Sequence, residues 1–218
     1  MTTLRWKVFS RNEILFGLLL PVVFGVLILL WPYIMNALVG PPTTMIGGIL
    51  TVGFLQIICI SAIPVFLGLT WNNWAGGASG FLLGFIYFIL VMVYYGISGE
   101  AIDVSWRAYI VAAMVGGFVA GSLIRDSSKL KRNLLVAIIV GILQGSILLW
   151  TYDLVYHSFT GFPGGPLADL AGIHVPLWSY ISFITFVPPL LGCIIAAIIA
   201  KVFAWAAMSP RLLKQYAS

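Results

Sequence analysis

The sequence predicts an all-α, polytopic membrane protein: a compact bundle of six transmembrane helices with both termini in the cytoplasm. Three observations predict it. Charged residues are 8 % of the 218-residue chain, against roughly 25 % in soluble proteins. Apolar residues are 61 % and gather into long runs. Each run is long enough for the ~20 residues that a helix needs to cross a bilayer. The third observation is the placing of the basic residues, taken up after the spans.

The run from Ile14 to Trp31 is longer than the core of a typical signal peptide. It lacks a small-x-small cleavage pattern and further spans follow it, so it reads as the first membrane helix. That helix is predicted over Glu13 to Asn36, with a local adjustment at Pro21. Gly40-Pro41-Pro42 makes an uncharged turn. The second helix is expected from Met45 to Leu69, with Gln56 and Pro64 inside it. Trp71-Asn72-Asn73-Trp74 is a polar, aromatic turn, and the third helix follows from Ala75 to Tyr95. Glu100 and Asp103 lie in the next loop. The fourth helix runs from Arg107 to Ile124 and the fifth from Asn133 to Tyr156. The last apolar run, Leu177 to Ala207, exceeds one span and contains Pro188-Pro189. It fits either one kinked helix or an interfacial piece followed by a span. The chain therefore divides into a cytoplasmic segment (1–12), a six-helix membrane domain (13–207) and a cytoplasmic tail (208–218).

Ten of the eleven basic residues fall on the side of the N-terminus under this count. They are Arg5, Lys7 and Arg11, then Arg125, Lys129, Lys131 and Arg132, then Lys201, Arg211 and Lys214. Only Arg107 lies opposite. Basic excess marks the cytoplasmic side of a membrane protein, and five or seven spans would scramble the agreement. The net charge of +5 is thus a topology signal and not a nucleic-acid footprint. The acidic residues Glu100, Asp103, Asp153 and Asp169 fall on or near the outer side. They are candidates for cation attraction, helix capping or pairing with Arg107.

Small residues recur at four-residue spacing on four helices. Gly76, Gly80 and Gly84 mark the third; Ala113, Gly117 and Gly121 the fourth; Gly141 and Gly145 the fifth; Gly192, Ala196 and Ala200 the sixth. Such stripes let backbones approach closely where lipid supplies no hydrophobic drive. They predict tight packing inside the chain or, alternatively, an interface with another subunit. Gln56 and Gln144 are the intramembrane polar residues, suited to interhelical hydrogen bonds or to contact with a solute. Cys59 and Cys193 sit in apolar runs and read as small buried hydrophobes.

Catalytic motifs are missing. There is no Gly-rich phosphate loop with its lysine, no HExxH and no GxSxG. His157 and His174 flank the long Gly/Pro-rich outer segment and neither lies well inside a span, which argues against a bis-His heme. A metal site drawn from His157, His174, Asp153 and Asp169 is the weaker alternative to plain loop residues. No cofactor is expected.

The outer boundary is rich in aromatic residues. One explanation is the usual interfacial belt. The other is a ligand cup, with Trp31, Tyr95, Trp106 and Trp150 supplying ring surface and Glu100, Asp103, Arg107, Asp153 and His157 supplying orientation. Residues 158–176, with Pro163, Pro166 and several glycines, are long enough to cover such a cup or to dock a partner.

In size and topology the chain, over residues 13–207, resembles the S components of energy-coupling-factor vitamin transporters. The most similar passages are Gly76-Gly-Ala-Ser-Gly-Phe-Leu-Leu-Gly84 and Gly116-Gly-Phe-Val-Ala-Gly121, with the basic turn from Arg125 to Arg132. The resemblance implies a six-helix, non-catalytic subunit that binds a small solute from outside. Its partners would be the lipid bilayer, a membrane coupling protein and two ATPases. That family often carries Ala-x-x-x-Ala in its first helix; Phe16 to Gly25 lacks it here. The competing expectation is a non-catalytic accessory subunit of a larger respiratory or oxidase complex.

Overall fold

The computed structural model describes residues 19–39, 54–98, 107–124, 129–160, 168–170, 173–175 and 177–205. Among these residues six helices follow one another: α1 (Leu20–Val39), α2 (Phe54–Thr70), α3 (Asn73–Ser98), α4 (Ala108–Leu123), α5 (Leu130–Thr160) and α6 (Leu177–Trp205). A small antiparallel hairpin, β1 (Ala168–Leu170) and β2 (Ile173–Val175), lies between α5 and α6. The Gly/Pro-rich segment therefore contains paired backbone that sequence reading took for loop. Its register sets position 169 opposite position 174.

The helix ends follow local chemistry. Asn72 caps α3: its Oδ1 accepts the Ala75 N–H at 2.7 Å, and its carbonyl accepts the Gly76 N–H at 3.1 Å. This satisfies donors that the first turn leaves open. At the other end of the same turn, the Trp71 N–H donates to the Leu67 carbonyl at 2.9 Å. The C-terminus of α4 is closed from α5, where Arg132 Nη2 donates to the Leu123 carbonyl at 3.3 Å. A cation there also meets the negative end of the α4 dipole.

The long last run is one continuous helix, α6, with Pro188 and Pro189 inside it. Pro64 is likewise inside α2. Each proline removes an N–H and leaves a carbonyl one turn earlier without its usual donor. Pro64, Pro188 and Pro189 are all buried, which fits backbone irregularity sheltered between helices.

The helices are arranged around α2 and α4. α2 packs on α3, α4 and α6; α4 packs on α2, α3 and α5; α5 and α6 pack on each other; α1 lies against α3. The core has two apolar clusters. Ile57, Leu83, Tyr87, Ala108, Tyr109, Ala112 and Leu148 fill one end. Val65, Leu69, Ala120, Val136, Val140, Cys193, Ala196 and Ala200 fill the other.

The size distribution runs opposite to that of a soluble protein. On α4 the buried residues are Ala112, Ala113, Gly116, Gly117, Ala120 and Gly121, with Ala108 and Tyr109. The exposed ones are Val111, Met114, Phe118 and Leu123. On α5 and α6 large aliphatics such as Ile138, Ile142, Ile195, Ile198 and Val202 also face outward. Small residues inside and large apolar ones outside suit close helix contact in lipid. Two stretches, Leu130–Thr151 and Thr185–Trp205, are long and apolar enough to cross a membrane. Gln56–Thr70, Asn73–Ile89 and Ala108–Leu123 are shorter apolar helices. The chain is an all-α, multi-helix, membrane-associated protein.

The glycine stripes lie where helices touch backbone to backbone. A β-carbon built at Gly76 would overlap the Gly117 carbonyl, and one built at Gly117 would overlap that of Gly76. Gly80 is set against the Ala113 carbonyl, and Gly84 against Ile110, whose Cα would be 2.5 Å from the added carbon. Gly121 abuts Asn73. α3 and α4 are therefore antiparallel. Gly141 and Gly145 meet Leu190 and Phe186 in reverse order, so α5 and α6 are antiparallel as well.

Gly76 and its neighbour Gly77 give a clean test. A Gly76→Ala methyl meets only backbone of α2 and α4, so the helices must separate, at a cost of about 1–3 kcal/mol. A Gly77→Ala methyl meets Phe118 Cβ at 3.4 Å, an ordinary contact. Thermal denaturation in detergent should show Gly76→Ala melting well below the parent and Gly77→Ala at or slightly above it, since alanine favours helix.

Candidate functional site

Two places in the fold hold polar groups that packing alone does not require. One is the end of the bundle where α4 begins. The other is a buried amide at mid-height.

At the first, α4 starts lower than its neighbours. Tyr87 of α3 packs edge-on against Tyr109 in the first turn of α4, with ring centroids 5.3 Å apart. α3 continues from there to Ser98, about three further turns. Leu148 of α5 sits in the same cluster, and α5 continues to Thr160, again about three turns. α3 and α5 both pack on α4, so they stand on either side of its N-terminus and rise above it. Arg107, the residue before α4, is exposed at this base. Its guanidinium lies 5.7 Å from the centre of the Phe88 ring on α3, a cation–π contact.

The sequence-selected ligand residues distribute unevenly over this region. Trp31 is half-buried on α1. Tyr95 is on the projecting part of α3. Trp150 is 67 % exposed on α5. Asp153 and His157 follow on the projecting part of α5. Glu100, Asp103 and Trp106 lie outside the described residues. Among the described residues no group of three or more His, Cys, Asp or Glu could hold a metal ion.

The second place is Gln144. Its side chain is 1 % exposed at the junction of α4, α5 and α6. The Cys193 thiol donates to Gln144 Oε1 at 3.4 Å. The Nε2 group has no hydrogen-bond partner. The amide lies flat on Gly116: a β-carbon there would be 2.7 Å from Cδ and 2.9 Å from Cγ of Gln144. Gly116 was not among the stripe glycines read from the sequence, because it faces α5 and not α3. Cys59 and Cys193 are both free thiols.

An unmet buried donor costs about 1–3 kcal/mol. The sequence offered interhelical bonding or solute contact for this glutamine, and the geometry gives one weak bond to a thiol and one open donor. Exchanging the two ends of the amide would turn the carbonyl toward Gly116, so one end lacks a protein partner in either orientation. Compared with known proteins, the chain matches no family model, and no curated protein and no solved structure is significantly similar to it.

The Gly116–Gln144 contact predicts strong coupling. Gly116→Ala forces the glutamine aside and should destabilise the protein, whereas Gly116→Ala made together with Gln144→Ala should lose much less than the two changes summed. A double-mutant cycle on melting in detergent should return a coupling of about 0.5–3 kcal/mol, with its sign showing relief of the clash.

Proposed function

We propose that this protein is a multi-pass cell-membrane subunit that binds a small solute at its outer face, as part of a transporter whose energy comes from other subunits. The observation that carries this reading is the step in helix length at α4. α3 and α5 extend about three turns past Arg107, and in this reading the space above the start of α4 is a recess floored by that cation. Six spans, with both termini and the basic residues Lys129, Lys131 and Arg132 in the cytoplasm, set that recess on the outside. Trp31 then belongs to the same outer boundary.

In this reading Tyr95 supplies stacking surface, and Arg107 attracts a carboxylate, carbonyl or phosphate oxygen. Glu100, Asp103 and Trp106, in the sequence joining α3 to α4, and Asp153 and His157, on the projecting part of α5, are the further candidate ligand groups. The glycine-packed interior serves as a rigid holder. The chain has no phosphate loop of its own, so inward release requires a coupling protein and ATPases, as in the S components whose plan it resembles. The second reading, an accessory subunit of a respiratory or oxidase complex, explains the tight core equally well but gives no role to the recess.

Two experiments test this. Cysteines introduced at Lys129 and Arg107, in a background with Cys59→Ala and Cys193→Ala, should react with a membrane-impermeant maleimide from opposite sides of intact cells, the first only after permeabilisation. Labelling of both from one side would remove the six-span topology. Gentle purification from the native membrane should retain a small ligand, a coupling protein and ATPases. Arg107→Ala and Tyr95→Ala should each lower affinity for that ligand by about tenfold, equivalent to ~1.4 kcal/mol. A stoichiometric set of oxidase subunits with no small ligand would establish the accessory role instead.

A further inference from the structure

We infer that the junction of α4, α5 and α6 is a binding site for a small neutral guest carrying a hydrogen-bond acceptor oxygen, and that Gln144 is its recognition group. Four observations carry the argument. The Gln144 side chain is 1 % exposed, yet its Nε2 has no partner. Among the described residues its one hydrogen bond comes from the Cys193 thiol, at 3.4 Å from Oε1. Thiols are weak donors, so the amide is poorly satisfied at one end and open at the other. Leucine or methionine fills a similar volume without any unmet group, so packing does not require glutamine here. Finally, no charged residue is among the buried side chains of the described core, which selects against an ionic guest.

The seams around this point differ in kind. The α3–α4 seam closes glycine on backbone at Gly76, Gly80, Gly84, Gly117 and Gly121. The α5–α6 seam closes through Gly141 and Gly145 on Leu190 and Phe186. Between α4 and α5 at mid-height it is the flexible amide of Gln144 that lies over Gly116. At Gly145 the Phe186 ring is also a side-chain contact, but it is apolar. Of the two places closed by a side chain, only Gln144 brings an open donor, so that is where a polar guest would be held. A water molecule and the carbonyl or hydroxyl of a solute offer the same acceptor chemistry. This inference stands apart from the outer recess and does not require it.

Cys193 is a built-in reporter, because a maleimide reacts with a thiol only where water and reagent reach it. The experiment uses the full-length protein in lipid nanodiscs, with Cys59→Ala so that Cys193 is the single thiol. Three versions are compared: Gln144, Gln144→Leu and Gln144→Met. N-ethylmaleimide, a small polar molecule with two acceptor carbonyls, is the probe for the guest. Alkylation of Cys193 in the Gln144 protein should be at least tenfold faster than in either variant, while both variants melt at or above the parent temperature. Protection of Cys193 by added succinimide, which carries the carbonyls without the reactive double bond, would assign the site to a solute. Unchanged labelling with succinimide, but slower labelling in the variants, would assign it to water. Equal labelling rates in all three proteins would overturn the inference. So would a lower melting temperature in both variants, which would make Gln144 an ordinary tie between helices.

Discussion

The reciprocal contact of Gly76 and Gly117 is the constraint on which the rest of the bundle depends. Each glycine occupies the space that a side chain on the other would need. The same point holds two more pieces of α2. Gly68 lies against the Gly117 carbonyl, and the Pro64 ring would be 2.9 Å from a β-carbon on Gly117. Three helices thus meet where none has a side chain to spare. In water such an arrangement would waste buried area. In lipid the comparison changes, because a large apolar side chain gains nothing by moving from lipid to protein. What remains is dispersion between closely packed backbones, and that falls steeply with separation.

From this contact the neighbouring structure follows. The turn from Trp71 to Trp74 must be tight, because Gly68 and Gly76 converge on the same segment of α4. Asn72 makes that turn stable by capping α3 with both its side chain and its carbonyl. Trp74 points out of the bundle, 75 % exposed, edge-on to Phe118 at 5.7 Å. The register of α3 on α4 then fixes how far α3 extends past the beginning of α4. The step in height between α3 and the start of α4 is therefore a consequence of the glycine contact and the two helix lengths. It does not need a special loop.

Much of the bundle was legible in the sequence, and for physical reasons. Long apolar runs and the glycine spacing depend on local composition, so the existence of each helix and the residues at its closest contacts can be read off. Ends were less legible. α5 begins at Leu130 and not Asn133, because Lys129 and Arg132 serve the helix start and the α4 terminus instead of a loop. The continuity of α6 through Pro188-Pro189 was open, since a sequence does not show whether neighbouring helices shelter the freed carbonyls.

Gly116 and Gln144 show why such a site escapes a one-dimensional reading. Gly116 is adjacent to Gly117, and the four-residue stripe claims the second glycine while giving the first no function. Two adjacent helical positions differ by about 100° in direction, so they face different helices. Gly117 serves α2 and α3; Gly116 serves α5. A pair of adjacent glycines in a membrane helix is thus a sign that the helix is central and must accept close neighbours on two sides. α4 fits that description, since it touches α2, α3 and α5. Only on the α5 side does a polar side chain fill the space that glycine leaves. The same small-residue device thus closes one face of α4 with backbone and the other with the Gln144 side chain.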